Sequence, residues 1–246
     1  MPTSTSQLDA LLQQSLKDKT AERAFFRALL DATVYVHAPI SDDSRNLRLI
    51  QFTRPDGLTV LPFFSDSTQA TAATGNAVRV VPLTGRVFLE ATRGATLMLN
   101  PNGIHCTLYP EEIAALLDKG EVATFEKLVV PDTEFQFSVP KPTPTWLLKR
   151  LTKLYAQLTF VEAAYLIETR SPQDLNHSWL LIAVKAPKLD AERVARATIT
   201  DVQPHCRKRQ ASVDIMSLDS TKESLDWIAR VGIEPFYERC ADLTLY

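Results

Sequence analysis

Apolar residues recur every three or four positions near the start of the chain, and this spacing predicts two amphipathic helices. Leucines and phenylalanines form the two apolar faces: Leu8, Leu11, Leu12 and Leu16 in the first helix, and Phe25, Phe26, Leu29 and Leu30 in the second. Polar residues occupy most positions between them. Each helix is therefore expected to turn one face to a core and the other to water.

The pattern then changes to alternation, which predicts strands. The residues 33–38, TVYVHA, are β-branched or aromatic, and 47–64 contains two alternating runs joined by Pro55-Asp56-Gly57. Proline fixes φ and glycine accepts a positive φ, so this second stretch predicts a hairpin. Further strands are predicted at 77–82 and 95–100.

Capping signals locate the helices of the first half. Ser65 is expected to cap a short helix that starts at Asp66, and Thr84 a second helix that ends at Gly94. A final helix is predicted over 110–119, because Pro110 suits the first turn and Gly120 suits the end.

The second half repeats the mixture of strands and helices. Strands are predicted at 134–140, 161–169, 178–186 and 212–218, and helices at 143–158, 189–205 and 222–232. Thr143 is expected to cap the first of these helices. The order β-α-β-β-α-β-α favours a ferredoxin-like sandwich with an extra helix.

These patterns predict an α+β protein with two small domains, each built from a mixed or antiparallel sheet and packed helices. The expected domains are 1–120 and 134–246, joined by a linker at 121–133. Each half is long enough to bury a core of its own.

Composition excludes several functions. The net charge of −2 gives no electrostatic case for binding nucleic acid or a membrane, and no apolar stretch is long enough to span one. No two of the seven glycines lie closer than nine positions, so neither a dinucleotide fingerprint nor a phosphate-binding loop can be written. The start of the chain does not read as a secretory signal. Three distant cysteines, Cys106, Cys206 and Cys240, indicate reduced thiols and a cytoplasmic location.

Across both halves the chain resembles the SseB family, the enhanced serine sensitivity proteins of bacteria. The resemblance is carried by DGLTVLPFFSD at 56–66, by LMLNPNG followed by YPEEIAALL, by FSVPKPTPTWLLKRLTKLY and VEAAYLIE, and by IEPFYE at 233–238. Ser65 and Tyr109 depart from the threonine or serine usual at their positions. The resemblance implies an intracellular bacterial protein with N-terminal and C-terminal SseB-type domains, and it implies no catalytic residues.

The stretch LNPNGIHCT at 99–107 poses the main choice between a site and a turn. Asn100-Pro101-Asn102-Gly103 favours a tight turn, in which Gly103 is expected to take the positive φ. His105 and Cys106 are adjacent, and adjacent residues of a strand point to opposite faces, so they are not expected to form a nucleophile–base pair. The residues retained as interaction candidates are Asn100, Pro101, Asn102, His105, Phe236 and Tyr237. For Phe236 and Tyr237, packing on the sheet is favoured over presenting an anchor to a partner, because large apolar residues are more often buried.

A thiol-dependent enzyme or sulfur carrier that uses Cys206 or Cys106 is the main alternative function. Arg207, Lys208 and Arg209 follow Cys206, and cations lower a thiol pKa, whereas a helix C-terminus favours the neutral thiol. The three basic residues also suit a solvated surface or the end of a helix.

The sequence favours a non-enzymatic adaptor or regulator linked to serine sensitivity. It has no metal-ligand or nucleophile-elbow spacing, and no cofactor is expected. The expected partner is an unknown protein or a small metabolite such as an amino acid. Self-association through an exposed hairpin edge is a further alternative.

Overall fold

The computed structural model describes residues 7–41, 47–75, 77–123, 135–171, 174–209, 211–218 and 222–239. The chain divides into two compact units, Met1–Thr124 and Phe125–Tyr246. Each unit has a sheet with helices beside it, so the predicted two-domain α+β class is confirmed. Most of the predicted linker, 124–133, lies outside the described residues.

The N-terminal unit alternates helices and strands in the order that the sequence predicts. Its helices are α1 (Gln7–Ser15), α2 (Lys19–Asp31), α3 (Ser67–Thr74), α4 (Gly85–Ala91) and α5 (Pro110–Lys119). Its strands are β1 (Thr33–Ala38), β2 (Phe52–Thr53), β3 (Thr59–Phe64), β4 (Arg79–Thr84), β5 (Leu97–Leu99) and β6 (Cys106–Leu108).

The sheet of this unit has the order β4-β1-β3-β5-β6, and β2 pairs with β3 to form the predicted hairpin. Only β3 and β5 are parallel among the described pairs. Apolar side chains of α1, α2, α4 and α5 pack on the sheet, and the rings of Phe63 and Phe88 lie 5.1 Å apart. Leu16 was expected on this apolar face, but it follows the end of α1 and is 65% exposed.

Two caps of this unit differ from the prediction. Asp66, not Ser65, caps α3, because its carboxylate accepts a hydrogen bond from Gln69 N at 2.8 Å. Helix α4 starts after Thr84 as predicted, but it ends at Ala91, before Gly94. At α5 the departure at Tyr109 is compensated, since buried Glu112 accepts a hydrogen bond from Tyr109 N at 3.0 Å.

A close backbone approach joins α2 to the first residue of α4. Gly85 N donates to Ala32 O at 2.8 Å, and a Cβ atom built on Gly85 would lie 1.8 Å from Leu29 O. No side chain fits that distance, so glycine is required here for space and not for its φ.

The C-terminal unit also follows the predicted order. Its strands are β7 (Gln136–Ser138), β8 (Ala163–Ser171), β9 (Asp174–Lys185), β10 (Val213–Leu218) and β11 (Tyr237–Glu238). Its helices are α6 (Thr145–Gln157), α7 (Ala191–Arg209) and α8 (Lys222–Arg230), and a 3₁₀ turn precedes α7. The predicted cap Thr143 donates instead to Pro140 O, and Pro144 stands at the start of α6.

The ferredoxin-like detail of this unit is not confirmed. The sheet order is β10-β9-β8-β11, and β7 pairs antiparallel with β8. A split βαβ unit keeps its two strands parallel with another strand between them. Here β9, α7 and β10 form an undivided βαβ unit, because β10 lies directly beside β9 in parallel.

The C-terminal core lies between this sheet and the two helices α6 and α7. Leu147, Leu151 and Tyr155 of α6 are fully buried, as the predicted apolar face requires. Tyr155 and Thr198 place their hydroxyl oxygens 3.0 Å apart, and Arg150 pairs with Asp201. Since the partner number rises on α7 as it falls on α6, the two helices run antiparallel.

Candidate functional site

The predicted tight turn at 100–103 is present, but a different residue carries its unusual backbone conformation. Gly103 N donates to Asn100 O at 3.0 Å, which closes the turn. Asn100 has φ +48°, whereas Gly103 does not have a positive φ. The expectation that Gly103 supplies it was therefore wrong. Asparagine tolerates this region better than other non-glycine residues because its short amide can bond locally.

The Asn100 side chain is 4% exposed and fully engaged. Its Oδ1 accepts from Ser65 N at 3.0 Å, and its Nδ2 donates to Asp9 Oδ1 at 2.9 Å and to Ser65 Oγ at 3.0 Å. Gln69 Nε2 donates to Asp9 Oδ2 at 2.8 Å and to Asp66. We call Asp9, Ser65, Gln69 and Asn100 the Asn100 cluster. It ties α1, the start of α3 and the end of β5 together.

The other candidates of this stretch lie on its outside. Pro101 is half-buried, and Asn102 and His105 are exposed. His105 Nδ1 lies 3.3 Å from Gly103 O, within the same turn. Cys106 is half-buried in β6. The structure thus separates Asn100, which is internal, from Asn102 and His105, which solvent reaches, and a binding role for these residues stays a prediction.

Phe236 and Tyr237 pack on their own domain. Both contact the C-terminal core, and Tyr237 begins the short strand β11 on β8. Tyr237 Oη donates to Tyr155 O at 3.0 Å, and Arg239 donates to the carbonyl oxygens of Tyr155, Leu158 and Val161. The carbonyls of Tyr155 and Leu158 lie at the end of α6, where helical partners run out, and that of Val161 lies in the connection to β8. The segment 236–239 therefore holds that helix end in place.

The C-terminal domain contains a surface groove that the sequence did not single out. It lies between α6 and α7 and has a volume of about 580 Å³. We call it the α6–α7 groove; its main lining residues are Trp146, Lys149, Arg150, Lys153, His205 and Arg209.

Positive charge dominates this groove. Its lining has four lysine or arginine side chains and one carboxylate, that of Asp201. Arg150 is committed to Asp201: its Nη2 donates to Oδ1 at 2.7 Å, and its Nε lies 2.7 Å from Oδ2. That Nε donates to the backbone carbonyl of Asp201, so the contact with Oδ2 is an ion pair without a hydrogen bond. Lys149 and Lys153 are exposed and make no ion pair among the described residues.

Aromatic rings form one end of the groove. The guanidinium of Arg209 lies 4.5 Å from the centre of the Trp146 ring, and the His205 ring lies 6.5 Å from it. A cation over an aromatic face is held electrostatically as well as by packing. Desolvation lowers the pKa of His205, and the guanidinium of Arg150 lowers this pKa further. His205 is therefore neutral near pH 7, and the lysines and Arg209 supply the positive potential.

Cys206 follows His205 but turns away from solvent, and it is 8% exposed. Burial raises the pKa of its thiol, and the positive charge of Arg209 offsets only part of this rise. The thiolate is the nucleophilic form. The alternative of a thiol-dependent enzyme is therefore not supported at Cys206. Cys240 lies outside the described residues.

Of the residues that line the groove, Arg209 belongs to the basic run that the sequence analysis discussed. The basic residues 207–209 were interpreted as a solvated helix end, and all three are exposed. Lys149 and Lys153 were missed, although their spacing of four places them on one face of a helix. Their proximity to Arg209 depends on how α6 packs against α7, which no local pattern reveals.

The described residues contain neither a candidate metal site nor a helix that could span a membrane. They contain no group of three or more His, Cys, Asp or Glu side chains placed to hold a metal ion. No helix among them combines the length and apolarity needed to cross a membrane.

The fold and the groove define a two-domain α+β protein with a cationic surface on its second domain. Comparison with known families then assigns it: the chain belongs to the SseB family. The SseB protein N-terminal domain matches residues 8–115, and the SseB protein C-terminal domain matches residues 129–239.

Curated relatives show the same correspondence along the whole chain. The chain is 26% identical over 253 aligned positions to Protein SseB of Escherichia coli (strain K12), covering 97% of this chain and 94% of that protein. The same values hold for Protein SseB of Shigella flexneri. No solved structure matches the chain.

Proposed function

We propose that this member of the SseB family is a non-enzymatic cytoplasmic adaptor or regulator, and that it acts by binding a protein partner through its C-terminal domain. The observation that carries the proposal is the α6–α7 groove, where Lys149 and Lys153 are exposed and have no ion-pair partner in the described part of the chain. Charges left unpaired at a surface are available to a partner, and complementary charge guides association and fixes its register.

A binding role suits the chemistry of the groove better than catalysis. Cys206, the residue after His205, is buried, and burial raises the pKa of its thiol. The nearest imidazole, His205, lies beside Trp146 and among cations. An activated nucleophile needs a base within hydrogen-bond reach and a route to substrate. The groove instead offers long cationic side chains around an aromatic ring.

A protein partner suits the groove better than an amino acid. Asp201 and Arg209 are eight residues apart on α7, so the charged surface extends roughly 12 Å along the helix. The α-carboxylate and α-amino groups of a single amino acid would occupy only a small part of it. A polypeptide can contact the whole length.

Complementation tests this function. In a bacterial strain that lacks the chain and is inhibited by serine, the unaltered chain should restore growth. Lys149→Glu with Lys153→Glu should fail to restore it, whereas Cys106→Ser with Cys206→Ser should succeed. Lys141→Glu with Lys188→Glu is the matched control, since both lysines are exposed in the same domain and lie outside the groove.

The same experiment can contradict the proposal. If the folded double cysteine variant fails while the groove variant restores growth, the protein works through a thiol. If both lysine pairs fail equally to restore growth, net charge matters and the position of the groove does not. Normal melting of each purified variant must accompany these results, so that loss of folding is not read as loss of function.

A further inference from the structure

We infer that the α6–α7 groove binds an acidic segment of polypeptide; this inference rests on the proposed function and specifies the ligand of the same site. The groove presents cations along its length, so the complementary ligand carries several carboxylates in sequence. A charged surface of this kind steers an oppositely charged partner and rejects a similarly charged one.

The available cations occur in two places. Lys149 and Lys153 are one helical turn apart on α6, which puts their ammonium groups on the same side of the groove. Arg209 lies at the end of α7, stacked on Trp146. Arg150, which follows Lys149 on α6, is neutralised by Asp201. A ligand with carboxylates at two or more positions would meet the lysines with one part and Arg209 with another.

The length of the groove matches a short stretch of chain. The distance along α7 from Asp201 to Arg209 is roughly 12 Å at 1.5 Å per residue. An extended polypeptide covers this distance with about four residues, at up to about 3.5 Å each. Such a segment can place acidic side chains near Arg209 and near the lysines of α6.

Three features disfavour nucleic acid as the ligand. Single strands bind through bases that stack on open aromatic faces, but Arg209 covers a face of Trp146 at 4.5 Å. Asp201 also places a carboxylate within the surface that would follow the phosphates. With a net charge of −2 for the whole chain, three available cations are few for a polyphosphate ligand.

A single inorganic anion is also a poorer match. Helix N-termini bind phosphate with free backbone N–H groups. The aromatic end of the groove combines the last turn of α7 with the first turn of α6, where Trp146 lies. The N–H groups of Thr145, Leu147 and Leu148 in that first turn already donate to the carbonyls of Thr143 and Pro144. Binding must come from side chains that are spread out and exposed, which favours a ligand with its charges spread out as well.

Fluorescence anisotropy with a labelled octaglutamate peptide tests the inference on the full chain. Binding should be measurable at low ionic strength and weaken as salt is added, since exposed charges are screened. Lys149→Glu with Lys153→Glu should weaken binding about tenfold or more. Lys141→Glu with Lys188→Glu changes the net charge equally and should have little effect. Should the first pair fail to fold, Lys149→Gln with Lys153→Gln replaces it, with a smaller loss.

Three results would overturn the inference. Equal weakening by both lysine pairs would show that only net charge is sensed. Tighter binding of an oligothymidylate of equal length, lost in the groove variant, would make the surface a nucleic-acid site. Displacement of the peptide by inorganic phosphate, but not by chloride at the same ionic strength, would make it a small-anion site.

This experiment and the growth test fail independently. If octaglutamate does not bind but the groove variant still fails to restore growth, the groove functions with another ligand, and only this inference is wrong. If the peptide binds in the groove but the groove variant restores growth fully, the binding chemistry is correct and the proposed function is not.

Discussion

In the N-terminal domain the amide of Asn100 is buried and bonded to Asp9 and Ser65, whereas in the C-terminal domain Lys149 and Lys153 are exposed and have no ion-pair partner among the described residues. Both groups are polar side chains gathered by the fold, and only their partners differ. A polar group whose hydrogen bonds are all internal stabilises the fold. A charge that the protein leaves unpaired is free to act on something else.

This difference runs against the expectation that residues of catalytic type in the sequence identify the functional site. The stretch with Asn100, His105 and Cys106 has more residue types that are associated with catalysis than the part of α6 that carries the two lysines. In the structure its central residue, Asn100, holds α1, α3 and β5 together. Residue type alone therefore identifies a site less well than the balance of donors, acceptors and charges around it.

Among the predictions, Gly85→Ala in the N-terminal domain should have the largest effect on stability. The new Cβ would lie 1.8 Å from Leu29 O, so α2 and α4 would have to separate. We expect a loss of about 4 kcal/mol or more in unfolding free energy, measured by urea denaturation. Gly103→Ala is the control, because its Cβ would meet nothing within 4 Å. Similar midpoints for the two variants would show that the contact at Gly85 relaxes easily.

The second test is Asn100→Ala, which removes the centre of the Asn100 cluster. Ser65 N and Asp9 lose a partner in a buried place, and alanine is strained at φ +48°. We expect a loss of about 3 kcal/mol. Asn100→Gly relieves the backbone strain and should recover only part of it. Asn102→Ala, in the same turn but exposed, should stay within about 0.5 kcal/mol. An Asn100 variant that melts normally but loses partner binding would make this cluster a site.

The third test concerns the internal polar contacts that the C-terminal domain does make. Arg239→Ala removes one donor from each of the carbonyls of Tyr155, Leu158 and Val161, although Tyr155 O keeps the Tyr237 hydroxyl and Leu158 O keeps Val161 N. We expect about 2 kcal/mol of destabilisation by chemical denaturation. Arg230→Ala is the control, since Arg230 is exposed and, among the described residues, its side chain bonds only to Asp226 O within α8. An equal effect of the two changes would mean that segment 236–239 does not secure α6.

The smallest effect is a pH dependence at His205. Its folded-state pKa lies below the ordinary value, so the unfolded chain binds the proton more tightly. The stability that neutral His205 contributes is therefore fully present above about pH 6.5, and it declines as the pH falls from there toward the folded-state pKa. His205→Gln should lose less thermal stability than the unaltered chain across that interval. A larger loss in His205→Gln would show that protonated His205 is favoured in the folded protein.

Local signals predicted most of the fold because the residues that cause them are adjacent. Pro110 and Gly120 delimit α5, and Pro55-Asp56-Gly57 makes the turn of the β2–β3 hairpin. At the start of α3 the prediction was wrong because two neighbouring residues competed for one role. Asp66 caps α3 because Ser65 is held by Asn100, a residue thirty-five positions away. That contact has no trace in the local sequence.

The candidate site was less predictable, because it depends on pairing between distant segments. The face that carries Lys149 and Lys153 follows from helical spacing, but its position beside Trp146 and Arg209 follows from the packing of α6 on α7. Strand β11 was missed for a related reason: two residues form it only because β8 offers them an edge. The topology of the second sheet likewise depends on which strands pair, not on their order along the chain.

The contact of Arg239 with α6 also determines the order in which this domain matures during synthesis. Arg239 is made 84 residues after Tyr155, whose carbonyl it binds. At typical translation speeds of roughly 5–20 residues per second, Arg239 is added several seconds after the end of α6 that it binds. A nascent chain therefore displays α6 before it can hold that helix end. The α6–α7 groove, which α6 lines, therefore reaches its final form only after segment 236–239 has been made.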